Sequence, residues 1–307
     1  MAGGPVVVLA GGTGGAKLAR GMLDVVGDDL VVLANTGDDV EIYGGHVSPD
    51  PDLVLYWLAD RIDERGWGLR GDTFHVMDGL REIGGDPWFA LGDRDLAVAL
   101  HRRARLEDGA RLTETLAELA AALGLAAAVL PMSDDPVRTR VRHAGRWWSF
   151  QEYMIRAGAG GPVDEVVFEG ADRARATGEV LEAISRARAI VIGPSNPVAS
   201  IGPILAVPGI REAMVAARGP VIAVSPIVGG RIVKGPTDRF MRWAGREPSA
   251  SGVAATYAGL IDGIVADEAA DGLPLLRTDT LMSDAPSRRR VAQEALDFAA
   301  RLAGGDG

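Results

Sequence analysis

The run Gly11-Gly12-Thr13-Gly14-Gly15-Ala16-Lys17 has the residue types of an anion cradle. Glycines let a backbone approach a ligand closely, and the free N–H groups and dipole at a helix start favour a phosphate. A second group supplies negative charge: Asp38 and Asp39 in Asn35-Thr36-Gly37-Asp38-Asp39, and Asp50 in Ser48-Pro49-Asp50. Several carboxylates beside a phosphate cradle are what Mg2+ requires to neutralise a diphosphate. The competing local reading makes Asp38 and Asp39 an Asx turn and Ser48 and Asp50 helix caps. A third group is the proline-dense loop Gly193-Pro194-Ser195-Asn196-Pro197, which presents Ser195 and Asn196 after an apolar run. The adjacent aromatics Trp88 and Phe89 suit stacking on a planar ligand or packing in a core. His46 stands alone and reads as a hydrogen-bonded structural histidine. Lys17 and Lys234 are the only lysines among many arginines.

These groups need strands and helices to hold them. Val6 to Ala10 is an apolar β-branched run that breaks into the glycines and restarts in helical spacing at Leu18, Met22, Leu23, Val25 and Val26. Leu30 to Ala34, Ala126 to Leu130, Ala189 to Ile192, Val221 to Val224 and Leu275 to Thr278 read as further strands. Val137 to Arg142 and Trp147 to Ile155 read as a strand pair turning at Ala144-Gly145, with Val166 to Glu169 another short strand. Helical spacing covers a segment from Leu53, Leu96 to Ala104, Leu112 to Leu123, Glu179 to Ala187, Ala254 to Gly263 and Arg288 to Ala303. Alternating β and α elements predict an α/β fold with a mostly parallel, doubly wound sheet. Residues 1–52 and 124–307 form its core, and 53–123 a helical subdomain inserted between strands.

Composition narrows the partners. The formal net charge of −10 over 307 residues argues against nucleic acid or an anionic membrane surface as the main partner. His101-Arg102-Arg103 and Arg288-Arg289-Arg290, the richest basic clusters, read as solvated helix faces. The chain has no cysteine, which removes disulfides and thiolate metal sites and suits a reducing cytoplasm. Met1 to Pro5 carries no basic region, so neither a signal peptide nor a membrane span is expected. The glycine run also departs from two familiar nucleotide motifs. A dinucleotide fingerprint calls for a third glycine where Lys17 stands and an acid ending the second strand, where Asn35 stands. A P-loop calls for glycine before the lysine and Ser or Thr after it, where Ala16 and Leu18 stand. A mononucleotide or diphosphate cradle of another kind remains.

Taken together, the glycine run, Asn35-Thr36-Gly37-Asp38-Asp39, Ser48-Pro49-Asp50, Gly66-Trp67-Gly68, Trp88-Phe89, Leu91-Gly92-Asp93-Arg94-Asp95, Pro131-Met132-Ser133-Asp134-Asp135, Phe150-Gln151-Glu152, Gly193-Pro194-Ser195-Asn196-Pro197 and Ser225-Pro226-Ile227 resemble the 2-phospho-L-lactate transferase family. The resemblance implies a Rossmann-like core with a helical subdomain, a requirement for Mg2+, and a homodimer. It implies a step in making the deazaflavin coenzyme F-420. A guanosine-diphosphate-activated three-carbon acid, lactyl or enolpyruvyl, gives up its phosphorylated acid to the ribityl hydroxyl of the deazaflavin Fo, releasing GMP. On this resemblance Gly11, Gly12, Thr13, Gly14, Gly15, Lys17, Ser195 and Asn196 hold the nucleotide and its phosphates. Asp50, Trp88, Phe89, Met132, Ser133 and Asp134 face Fo, while Asp38, Asp39 and Asp50 hold the metal. Asp50 is the expected catalytic carboxylate. A sister branch, resembling a gluconeogenesis factor that binds nucleotide-sugars without catalysis, is the alternative. There the paired acids run on into Gly-Gly-Ser, whereas here Asp38-Asp39 leads to Val40-Glu41-Ile42-Tyr43.

Overall fold

The computed structural model describes residues 3–304. Met1 and Ala2, in the stretch read above for a leader, lie outside the described residues. Seven strands, β1 (Val6–Ala10), β2 (Leu30–Ala34), β3 (Ala128–Pro131), β4 (Ala189–Ile192), β5 (Val221–Val224), β6 (Gly263–Ala266) and β7 (Leu275–Arg277), form the central sheet. Their spatial order is β7-β6-β5-β4-β1-β2-β3, and every neighbouring pair is parallel. Val6 stands opposite both Leu30 and Ala189, so β1 lies at the centre. All residues of β1, β4, β5 and β6 are buried, as in a parallel sheet covered on both faces. The chain winds outward from β1 in one direction through β2 and β3, and in the other from β4 to β7. The order therefore reverses between β1 and β4, and such a reversal leaves a crevice at the carboxyl ends of those strands.

Five helices follow in the first half: α1 (Gly12–Val26), α2 (Pro49–Leu58), α3 (His75–Glu82), α4 (Asp93–Glu107) and α5 (Leu112–Ala122). Within 53–123 they divide by packing. Val54 and Leu55 of α2 and Leu116 and Ala120 of α5 join the main core with Val6, Val8 and Val32. Met77 of α3 and Leu96 and Ala99 of α4 gather instead with Phe89, Leu91 and Val47 in a separate small cluster. Arg102 ties this lobe to α2. It is 2% exposed, donates from Nη1 to Asp52 Oδ2 at 3.1 Å and to the His46 carbonyl at 3.0 Å, and pairs through Nη2 with the other Asp52 oxygen. The expectation of a solvated basic face thus fails at Arg102, because the carboxylate it pairs with lies on another helix.

Two further expectations are corrected. The segment Trp147 to Ile155 is not one strand: Arg146–Ser149 pairs with Arg138–His143, and Phe150–Ile155 is a helix, α6. Ser149 Oγ accepts from Glu152 N while Glu152 reaches back to Ser149 N, a reciprocal cap that starts a helix at once. Ala254 to Gly263 is not one helix either. The helix is Ala250–Thr256, started by Ser249, and Gly263 opens β6. A Cβ on Gly263 would lie 2.7 Å from the Phe298 ring, so this glycine admits the last helix, Ala285–Gly304, onto the sheet. No helix among the described residues is long and apolar enough to cross a membrane.

Candidate active site

A cavity of about 350 Å³ opens at the carboxyl ends of β1 and β4. Its walls include Gly11 to Gly14, Lys17, Asp50, Pro194 to Asn196, Phe150 and Met154 of α6, and the segments Lys234–Thr237 and Thr280–Met282. Both lysines of the chain therefore border one space, although they stand 217 positions apart.

The glycines of the turn divide by what surrounds them. A Cβ on Gly14 would lie 2.0 Å from the Pro194 carbonyl oxygen, and one on Gly15 would lie 2.6 Å from Ser195 Oγ. One on Gly11 would lie 2.6 Å from the Ser200 Cβ. These three glycines are small because the β4 loop presses against the β1 loop. Gly12 differs: its φ is +65° and a Cβ would meet nothing within 4 Å. It is glycine for its backbone conformation and leaves the cavity side open. The β4 loop completes this contact, since Ser195 Oγ accepts from Gly11 N at 3.3 Å. Asn196 Oδ1 accepts from Val198 N and Ala199 N and holds its own loop in shape.

The carboxylates meet at the same place. Ser48 precedes α2 but makes no side-chain cap; its hydroxyl donates to Asp39 Oδ2 at 2.9 Å. Asp50, in the first turn of α2, faces the start of α1. Gly12 N donates to Asp50 Oδ1 at 2.6 Å, and Asn35 Nδ2 donates to Asp50 Oδ2 at 2.9 Å. That leaves the N–H groups of Thr13 and Gly14 as donors in the first turn of α1. Asn35 also approaches Asp38 Oδ1 at 3.5 Å, and Gln151 of α6 donates to Asp38 Oδ2 at 2.8 Å. His46 Nε2 lies 3.0 Å from Asp39 Oδ2, and the other oxygen of Asp39 is buried without a partner. His46 is thus hydrogen-bonded, and the helix-cap reading of Ser48 and Asp50 gives way to contacts across the crevice.

Burial raises the Asp50 carboxyl to about 6, against the opposing pull of its Asn35 and Gly12 donors. Burial, with Asp50 and Asp39 nearby, holds Asp38 well above the usual carboxylate range. Asp38 and Asp50 are held by neutral donors only, from Asn35, Gln151 and Gly12. Such an oxygen-donor pair, short of positive charge, fits Mg2+, which binds through one or two carboxylates plus substrate phosphates. No group of three or more His, Asp or Glu side chains among the described residues converges into a preformed metal cage. Asp38 and Asp50 would therefore hold such an ion together with ligand oxygens.

Opposite the acids lies positive charge. Lys17 Nζ donates to the Met282 carbonyl at 3.0 Å and sits 5.7 Å from the Trp57 ring centre. Burial lowers its pKa, helped by Arg288 and Lys234. Lys234 Nζ donates to Thr13 Oγ1 at 3.0 Å.

The remaining expected residues lie outside the cavity wall. Met132 is fully buried in the core beneath the sheet. Ser133 Oγ donates to the Arg175 carbonyl, and Asp134 Oδ1 accepts from Thr113 N and Oγ1 at the start of α5. Phe89 is buried in the small cluster, and Trp88 packs at its edge beneath the Arg156 guanidinium. Arg156 follows α6 and also pairs with Asp86, so α6 joins the cavity wall to the helical lobe. Asn35, within Asn35-Thr36-Gly37-Asp38-Asp39, Gln151, within Phe150-Gln151-Glu152, and Lys234, one of the two lysines, stood out in the sequence without an assigned role at the site, and the Thr280–Met282 segment was not singled out. Ser149-x-x-Glu152 was the visible signal for the helix that carries Gln151.

The family model described as 2-phospho-L-lactate transferase CofD matches residues 6–289. A phosphoenolpyruvate transferase of Kitasatospora aureofaciens is 42% identical, covering 97% of this chain and 98% of its own length. A 2-phospho-L-lactate transferase of Methanosarcina mazei is 38% identical, covering 94% of this chain and 98% of its own length. Among solved structures, a UPF0052 family protein from Bacillus halodurans shares the fold, with a TM-score of 0.63 at 18% identity over 96% of this chain and 99% of that one. The α/β sheet with its crevice at the β1–β4 reversal, the glycine turn and Asp50 lining it, and relatives matched along nearly the whole length lead to one assignment: the chain belongs to the 2-phospho-L-lactate transferase family and is a transferase.

Proposed function

We propose that the protein moves a phosphorylated three-carbon acid, 2-phospholactate or enolpyruvyl phosphate, from its guanosine-diphosphate-activated form to the ribityl hydroxyl of Fo. The products are GMP and coenzyme F-420-0 or its dehydro form. The observation that carries this reading is the joining of a phosphate-type turn, Asp50 and both lysines around one cavity at the sheet reversal.

Attack of an alcohol on a diphosphate receives little covalent help, so catalysis rests on positioning and charge neutralisation. The first turn of α1 holds the donor phosphates through its N–H groups. The ribityl oxygen bonds to the phosphorus that bears the acid, the bond from that phosphorus to the bridging oxygen breaks, and GMP leaves with the electron pair. Asp50 takes the hydroxyl proton, as the carboxylate that lines the cavity at the start of α1. When bound at Asp38 and Asp50, beside Asp39, Mg2+ supplies charge neutralisation on the diphosphate. Fo enters from the side of α6 and the helical lobe, where Phe150 and Met154 line the cavity and Trp88 lies beyond Arg156.

The test is mass spectrometry of the product formed from Fo, Mg2+ and each activated acid. Lactyl and enolpyruvyl products differ by the mass of a pair of hydrogens, so the favoured donor is read directly. Absence of product with either donor contradicts the proposal.

A further inference from the structure

We propose that Lys234 is the ammonium that binds the donor diphosphate, and that Lys17 instead fixes the wall of the cavity. This rests on the reading of the cavity as the site of a diphosphate donor. Lys17 occupies the place on the glycine turn where a phosphate-binding lysine is first sought. Its ammonium, however, holds the Met282 carbonyl at 3.0 Å and lies against Trp57, and Met282 belongs to the cavity-lining segment Thr280–Met282. Moving Nζ to a ligand would release that segment.

Lys234 is placed differently. Ile227–Val228 and Arg231–Ile232 pair as a hairpin with Val228 opposite Arg231, so Gly229 and Gly230 form the two-residue turn. Their φ angles are 57° and 67°, the tight turn type that glycine accommodates readily. Gly229 N donates to the Asp267 carboxylate after β6, which anchors the turn to the sheet edge. Two residues past the hairpin, the exposed Lys234 crosses to Thr13 Oγ1 at 3.0 Å, on the first turn of α1. From the other side comes Gly66, of Gly66-Trp67-Gly68, where a Cβ would lie 3.5 Å from Lys234 Nζ. The ammonium therefore stands where the phosphate turn, the helical lobe and the β5–β6 connection meet. Among the described residues neither lysine is paired with a carboxylate. Exchange of a neutral hydroxyl for a phosphate oxygen strengthens the Lys234 bond, because the ammonium then meets a full negative charge at hydrogen-bond distance.

The test is calorimetric titration with GDP and Mg2+, with guanosine as the control that lacks phosphates, on wild type, Lys234→Met, Lys234→Arg and Lys17→Met. Thermal midpoints are recorded for each. Lys234→Met is expected to weaken GDP by about tenfold or more, as loss of one charge-assisted bond does, with guanosine affinity and midpoint unchanged. Lys234→Arg restores most of the loss. Lys17→Met lowers the midpoint and loses less GDP affinity than Lys234→Met. The proposal is overturned if Lys234→Met binds GDP as wild type does, or if Lys17→Met loses as much affinity or more. Failure of wild type to bind GDP at all removes the cavity reading itself, and this proposal with it.

Discussion

Replacement of Asp50 by Asn separates the chemical from the structural part played by this carboxylate. Both oxygens of Asp50 accept hydrogen bonds, from Gly12 N at 2.6 Å and Asn35 Nδ2 at 2.9 Å. An amide offers one acceptor and one donor, so one partner meets an N–H instead. Asn35 is not free to turn over, because its Oδ1 accepts from Gly37 N at 2.8 Å. The lost bond and the buried donor left unmatched cost about 1–3 kcal/mol. Against this, the variant escapes the penalty of a buried charge. Asp50 titrates at about 6 instead of 3.8, worth on the order of 3 kcal/mol by the usual conversion. A raised carboxylate contributes stability that is present below its unfolded value and lost as pH rises through its folded value. At pH 8 the two effects nearly cancel, and the variant melts close to wild type; toward pH 4 it becomes the less stable protein. Turnover behaves otherwise: loss of the base and of a metal-holding charge lowers GMP release by about 10²–10⁴-fold. The assay is continuous GMP release at pH 8, with calorimetric GDP binding and a melting curve as controls. A folded, GDP-binding Asp50→Asn protein that keeps its turnover would refute the assignment.

Three more outcomes follow from the same geometry. Gly14→Ala drives a methyl into the Pro194 carbonyl and is expected to cost about 3 kcal/mol or more; Gly12→Ala, with open space around it, costs about 1–2 kcal/mol of backbone strain. Equal melting points for the two would contradict the division of the glycines. Ser149→Ala removes the reciprocal cap of α6, lowers stability by about 1 kcal/mol, and reduces turnover through the loosened Gln151–Asp38 contact, both read in one melting and rate experiment. Asp95 is raised to about 7, first by burial and then by Asp52. Asp95→Asn is therefore expected to stabilise the protein at pH 8 by on the order of 2 kcal/mol after allowance for solvent. That gain shrinks as pH falls through 7 and is gone below about 4. A pH-independent difference in chemical denaturation would show that Asp95 is not the group responsible.

Strands of the central sheet were legible where β-branched runs ended in glycine, as at Val6 to Ala10 and Ala189 to Ile192. β6 was not: Gly263-Ile264-Val265-Ala266 follows an alanine-containing stretch whose spacing continues a helix, and it is pairing with β5 and β7, with Phe298 packed on Gly263, that makes it a strand. The glycine turn was visible, but its reason was half hidden. Three of its glycines answer to the loop of Pro194 to Ser200, far away in the chain. Arg102 shows the same limit, since a basic triplet looks solvated until Asp52 is placed beside it. Lys234 stood out as one of two lysines, yet its contact with Thr13 joins residues 221 positions apart. Local pattern speaks for elements; pairings across the crevice depend on the order of the strands.

The central claim, that the crevice between β1 and β4 holds the donor with its diphosphate on the α1 turn and Asp50 at the reacting phosphorus, is tested most directly by a crystal structure with GDP and Mg2+. The account predicts phosphate oxygens within hydrogen-bond reach of the Thr13 and Gly14 N–H groups, and a metal ion joining them to Asp38 and Asp50. A nucleotide bound elsewhere, or phosphates turned away from Asp50 with no metal between, would contradict it.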